Sequence, residues 1–212
     1  MIKDILPLAD RVFFLNPEIG NYVANATFLP YANVAVGDVK SVPPSRRRRP
    51  RVLHAPSDDA IKGSRIIEAA LLELSKRHDF EYVPVRKIPH AEAMRLYADC
   101  DLVIDQVLAG WYGGFAVELM AMGKPVACYI RDEDLHFLPP GMRAALPILR
   151  VDPRRLVEDL DGIFARRDEW PNWGEASRQF ALEWHDPKQI AAAMIAAYRD
   201  PQSHFDLQPL AQ

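Results

Sequence analysis

Two cysteines in 212 residues, Cys100 and Cys128, cannot build a disulfide framework or a thiolate metal site, and each lies in an apolar stretch that predicts a buried free thiol. No apolar run approaches the roughly 18 residues that a membrane span requires. The opening Met1-Ile-Lys-Asp-Ile-Leu-Pro7 lacks the apolar core and small-residue cleavage site of a secretion signal. A cytoplasmic protein is therefore expected, with peripheral docking at a membrane surface left open. Charge of one sign is also lacking: 26 Lys and Arg against 29 Asp and Glu leave a formal net charge of -3, so nothing draws the whole chain to nucleic acid. One local run, Arg46 to Arg49 with Arg51, has no interleaved aromatic residues and reads as a solvated linker rather than a nucleic-acid groove. His54, His90, His136 and His185 have no partners at ligand spacing, so no metal site is expected; His54 reads as a hydrogen-bonded interior residue.

What is present is a hydrophobic fraction of 49%, enough at this length for a core without staples. From residue 51 onward, short apolar runs alternate with helical patterns. Arg51 to Pro56, Phe80 to Val85, Leu102 to Asp105, Pro125 to Ile130 and Ile148 to Val151 read as strands. Lys62 to His78, His90 to Ala98 and Phe115 to Met122 read as the helices between them, the last stopped by Gly123. Asp152-Pro153 opens a further helix, and Trp173 to Trp184 and Pro187 to Arg199 close the chain as C-terminal helices. Such alternation predicts an α/β fold, a doubly wound Rossmann-like parallel sheet, because parallel neighbours need crossovers. Arg11 to Leu15 and Ala26 to Leu29 are two further short strands, and Pro43 to Pro50 looks like a linker.

In such a sheet, ligands bind beyond the carboxyl ends of the strands. The loop Pro56 to Ser64 opens the first helix there. Lys62 could meet an anionic ligand, Gly63 could allow its close approach, and Ser64 could cap the helix. The loop Gly110-Trp-Tyr-Gly-Gly114 opens another helix. Gly113 and Gly114 could present unpaired N–H groups to a pyrophosphate and Glu118 could accept from ribose hydroxyls, or the same residues could form a packing turn with a surface glutamate. Trp111 and Tyr112 could stack on a base or sugar, or fill the space above the sheet. Asp105 ends a strand at the same place, as a catalytic carboxylate or as a turn cap.

Lys62-Gly63, then Gly114-Phe-Ala-Val-Glu118-Leu-Met-Ala-Met-Gly123-Lys-Pro-Val126, then His185-Asp186-Pro187 with Ile190-Ala-Ala and Tyr198, resemble the carboxy-terminal domain of retaining glycosyltransferases of the GT-B fold, over about residues 51 to 199. The resemblance implies a nucleoside-diphosphate-sugar donor, of UDP or GDP type, and no separate cofactor. Residues 46–200 would be the donor domain. Residues 1–45 would be a remnant of the amino-terminal acceptor domain plus linker, and 201–212 a frayed tail. Glu118 matches the second of the family's paired glutamates, on the ribose, and Lys62 the lysine on the donor phosphates. Gly110 stands where the first glutamate belongs, and Pro56 to Asp59 replace a loop that usually carries an arginine. Two readings follow: a donor domain inactive without an acceptor-domain partner, or a noncatalytic nucleotide-sugar-binding or partner-binding module. Similar sheets also host sugar-nucleotide epimerases.

Overall fold

The computed structural model describes residues 6–202, 205 and 207. Met1 to Ile5, where the absence of a signal was read, and most of the tail expected to fray lie outside them. Two short strands, β1 (Val12–Phe14) and β2 (Ala26–Phe28), pair in parallel as a separate sheet. The main sheet contains β3 (Arg51–His54), β4 (Glu81–Pro84), β5 (Leu102–Ile104), β6 (Val126–Cys128) and β7 (Leu149–Arg150), in the order β4-β3-β5-β6-β7, with every neighbour parallel.

Parallel strands cannot be joined by hairpins, and helices make the crossovers. After β3 come a single turn, α1 (Asp59–Lys62), and α2 (Ser64–Leu74). Next are α3 (His90–Asp99) before β5 and α4 (Gly114–Ala121) before β6. A short α5 (Pro140–Ala145), not anticipated from the sequence, precedes β7, and α6 (Leu156–Ala165), α7 (Trp170–Trp184) and α8 (Pro187–Arg199) follow. No helix among the described residues is long and apolar enough to cross a membrane.

Alternate residues along each strand point to opposite faces. Val52, Leu102, Ile104 and Ala127 meet Ile67, Leu71 and Leu74 of α2 and Leu160 and Phe164 of α6 on one side. On the other, Leu53, Val103, Val126 and Cys128 meet Ala93 and Tyr97 of α3, Ala116, Val117, Leu119 and Met120 of α4 and Phe180 of α7. The α2 positions 67, 70, 71 and 74 are spaced for one helical stripe, which is why this segment is a helix and buries that face. Burial on both faces makes β5 and β6 wholly apolar.

In the arginine run Arg46, Arg48 and Arg49 are exposed, as expected of a solvated linker, while Arg47 is drawn toward the domain. Ser45 donates from its amide and hydroxyl to Asp101 Oδ1 at 2.7 and 2.8 Å, and Arg47 pairs with Asp101 and Asp99 at 3.0 and 2.7 Å. Residues before it lie along the main domain: Val42 N–H donates to the Met122 carbonyl at 2.8 Å, and Arg178 donates to the Val39 carbonyl at 3.1 Å. Gly123, at φ +80°, ends α4, and a Cβ on Gly174 of α7 would meet its carbonyl oxygen at 2.2 Å, so the two backbones touch there. Of the tail, Phe205 packs edge-on against Phe13 with centroids 5.1 Å apart, and Leu207 is buried, so these two residues are anchored rather than frayed.

Candidate functional site

The chain reverses its strand order beside β3: β4 lies to one side and β5 to the other. Crossovers leave in opposite directions from that point, and a crevice opens above the carboxyl ends of β3 and β5. His54 closes its floor, with Nδ1 2.8 Å from the Ile104 carbonyl and Nε2 2.9 Å from Ser64 Oγ, and burial lowers its pKa from the ordinary histidine value. Ser64 is therefore tied to His54 rather than capping a helix. Gly63 stands at the N-cap of α2 with no side-chain cap, and the side-chain cap in this loop belongs to α1: the Asp58 carboxylate accepts from the Ala60 and Ile61 amides at 2.8 and 3.0 Å.

Two loops meet above this floor. Lys62 Nζ forms an ion pair with Asp105 Oδ1, and Asp105 Oδ2 accepts from the Gly113 amide at 2.9 Å. The Val107 amide donates to the Lys62 carbonyl at 3.1 Å. The Asp105 side chain is fully buried and that of Lys62 is 10% exposed. Lys62, Asp105 and Gly113 are thus brought together, but in contact with each other. The Gly113 N–H, expected to be unpaired, is occupied by the Asp105 carboxylate.

Two further expectations change. Gly63, at φ +75°, lies under Val107, whose Cγ2 would be 2.6 Å from an added Cβ, so it serves a close crossing of two loops and not the approach of a ligand. Trp111 and Tyr112 are 2% and 0% exposed. The Trp111 ring packs edge-on against Phe28, and the Tyr112 hydroxyl lies 2.9 Å from His185 Nε2, so both fill the core and offer no face for stacking. Gly110 is left-handed, at φ +75°, with Arg131 against it; a glutamate there would be strained whatever its chemistry.

Gly114 and Glu118 line a cleft of about 470 Å³ together with Tyr31, Lys87, His90 and Tyr97. Glu118 lies one turn into α4, half-buried, and burial raises its pKa above the ordinary carboxylate value while His90 opposes the rise. Burial and the nearby Glu118 push the Tyr97 hydroxyl up to about 12. The Gly114 and Phe115 amides have no hydrogen-bond acceptor among the described residues, as expected of the first turn of a helix. Tyr31 and Asn33 come from outside the main sheet. Asn33 Nδ2 donates to the Gly114 carbonyl at 3.2 Å, a contact between residues 81 positions apart that local pattern could not reveal. Lys87 and His90 follow β4 at its carboxyl end, a position that could have flagged them. No group of three or more His, Cys, Asp or Glu able to hold a metal occurs among the described residues.

No protein-family model matches the chain, and no curated protein matches it in sequence. Solved structures do match. Sucrose-phosphate synthase from Thermosynechococcus elongatus superposes with a TM-score of 0.66 at 18% identity, covering 94% of this chain and 60% of that one. Anabaena HepE in complex with UDP and glucose gives 0.66 at 13% identity, covering 92% and 64%. The catalytic domain of starch synthase IV from Arabidopsis thaliana, bound to ADP and acarbose, gives 0.59 at 13% identity, covering 93% and 57%. The fold is that of one Rossmann-like half of the GT-B fold. The chain spans less than two thirds of the length of each of these structures.

Proposed function

We propose that this domain binds a nucleoside diphosphate sugar, as the donor half of a glycosyl-transfer protein. The observation that carries the reading is the pairing of the half-buried Glu118 carboxylate with the first-turn amides of α4 in one cleft at the sheet's switch point. A carboxylate there can accept from both hydroxyls of a ribose. The amides and the helix dipole favour a diphosphate. Lys87, Ile88, His90 and Tyr97 line the same cleft, and the base is proposed to lie among them. HepE and starch synthase IV, solved with UDP and ADP, support the ligand class without choosing the base.

The domain's contribution to transfer would be positioning of the donor and stabilisation of charge on the departing diphosphate. The acceptor would be held by a second domain, in the same polypeptide or another. A noncatalytic variant of the reading is favoured by one feature, the left-handed Gly110, which leaves no carboxylate where the family's first glutamate stands. Calorimetric titration with UDP, GDP, ADP and their glucose conjugates tests binding directly. Binding of at least one nucleotide, weakened about tenfold by Glu118→Ala, is expected, since one or two hydrogen bonds to a charged group are worth that much. A folded chain that binds none of them would overturn the reading.

A further inference from the structure

Two groups suited to a phosphate, the Lys62 ammonium and the first amide of the Gly113–Gly114 turn, are both taken by one side chain. We propose that Asp105 is a built-in counter-anion that closes the inner part of the diphosphate site and sets how tightly the site takes an anionic ligand. The inference rests on the donor-site reading for its ligand, but not for its geometry. Both Asp105 oxygens are engaged and its side chain has no exposed surface, so it does not touch a ligand itself. It acts on Lys62 and on Gly113.

The electrostatic consequence follows from the pairing. Lys62 and Asp105 sum to no net charge, so a diphosphate arriving at α4 meets a cation already neutralised and a carboxylate close behind it. At short range in a partly buried site, such a like charge opposes binding strongly. The Gly114 and Phe115 amides remain for the ligand, one residue farther out than the Gly113 amide. Gly113 lies at the centre of the arrangement: a Cβ there would be 3.6 Å from Lys62 Nζ and 3.9 Å from Asp105 Oδ2. Phe115, which lines the cleft, has its ring centroid 5.8 Å from Lys62 Nζ.

Asp105→Asn removes the charge, keeps an oxygen for the Gly113 amide and releases Lys62. Inorganic pyrophosphate is the first probe, because it carries the anion without base, ribose or sugar. Asp105→Asn is expected to bind it at least about tenfold more tightly than the wild type, with a steeper salt dependence, and the gain should vanish in Lys62→Gln/Asp105→Asn. Equal pyrophosphate affinity in wild type and a folded Asp105→Asn, or a gain that survives loss of Lys62, overturns the proposal. If the asparagine variant does not fold, Asp105→Ser gives the same test. The wild type carries its own readout: the Gly114 amide resonance should move on adding pyrophosphate while that of Gly113 stays, and a Gly113 shift of equal size would overturn the lock. Failure of the donor reading looks different, since the variant would then gain pyrophosphate affinity while UDP, GDP and ADP bind no tighter than pyrophosphate.

Discussion

Strand β5 is bracketed by two buried aspartates that do different work. Asp101, before the strand and 0% exposed, accepts from the amide and hydroxyl of Ser45 and from the Arg51 amide at 2.8 Å, and pairs with Arg47. It fastens the linker to the amino-terminal edge of the sheet. Asp105, after the strand and 1% exposed, fastens two loops together at the carboxyl edge. Residue type and burial are alike, and each joins one basic side chain to at least one backbone amide, so these features do not separate an anchor from a ligand-tuning group. What separates them is the end of the sheet at which each lies. Crossovers diverge and leave a crevice at the carboxyl ends, while the amino ends near Asp101 are covered by residues 45 to 51.

The largest effect should come from breaking the anchor. Asp101→Asn leaves Arg47 and two amides short of a charged acceptor, and urea unfolding should show a loss of about 3–5 kcal/mol, with no gain in pyrophosphate affinity. A stability loss below about 1 kcal/mol would make Asp101 the equal of an exposed carboxylate and dissolve the contrast. Acid sharpens the comparison from the carboxyl side, where buried histidines hold the floor and the return of α7. His185 Nδ1 donates to the Tyr31 carbonyl at 2.8 Å, its Nε2 lies 2.9 Å from the Tyr112 hydroxyl, and burial lowers its pKa to about 4 from 6.5. The unfolded chain takes up this proton near pH 6.5 and the folded chain not until about pH 4. Stability should therefore be complete above pH 6.5 and fall by roughly 3 kcal/mol as the pH drops to about 4, with His54 adding in the same direction. Urea midpoints across that range, flatter in His185→Gln, check the assignment.

A smaller effect distinguishes cleft from scaffold. Glu118→Ala should leave the thermal midpoint unchanged or slightly raised, because its carboxylate is charged at a desolvation cost, while nucleotide affinity falls about tenfold. Binding carried by the charged form should also weaken as pH falls through a pKa above the ordinary carboxylate value. The smallest effect belongs to Arg49→Ala. Its pair with Asp79 at 3.2 Å is more than half exposed on both sides, and no measurable change in unfolding midpoint is expected. A clear loss there would show that the arginine run anchors the chain more widely than through Arg47 and Arg51.

Much of the fold was legible because its signals are local. The apolar runs of β3, β5 and β6, the stripe at 67, 70, 71 and 74 in α2, the Asp152 and Asp186 caps and the Gly123 stop all lie within one turn or one strand of the features they determine. Alternation of those elements then implies a parallel, doubly wound sheet, since right-handed crossovers permit few other arrangements. Short α5 escaped notice because six residues are too few to show a helical period. Sequence alone also drew attention to Lys62, Asp105, Gly113, Gly114 and Glu118. Only the tertiary structure decided which of them face the cleft. Asp105 reaches Lys62 across 43 residues and Trp111 meets Phe28 across the fold, and contacts over such separations depend on how loops pack once the sheet exists. Periodicity records which side of an element is apolar. It carries no information about which polar group will find another first.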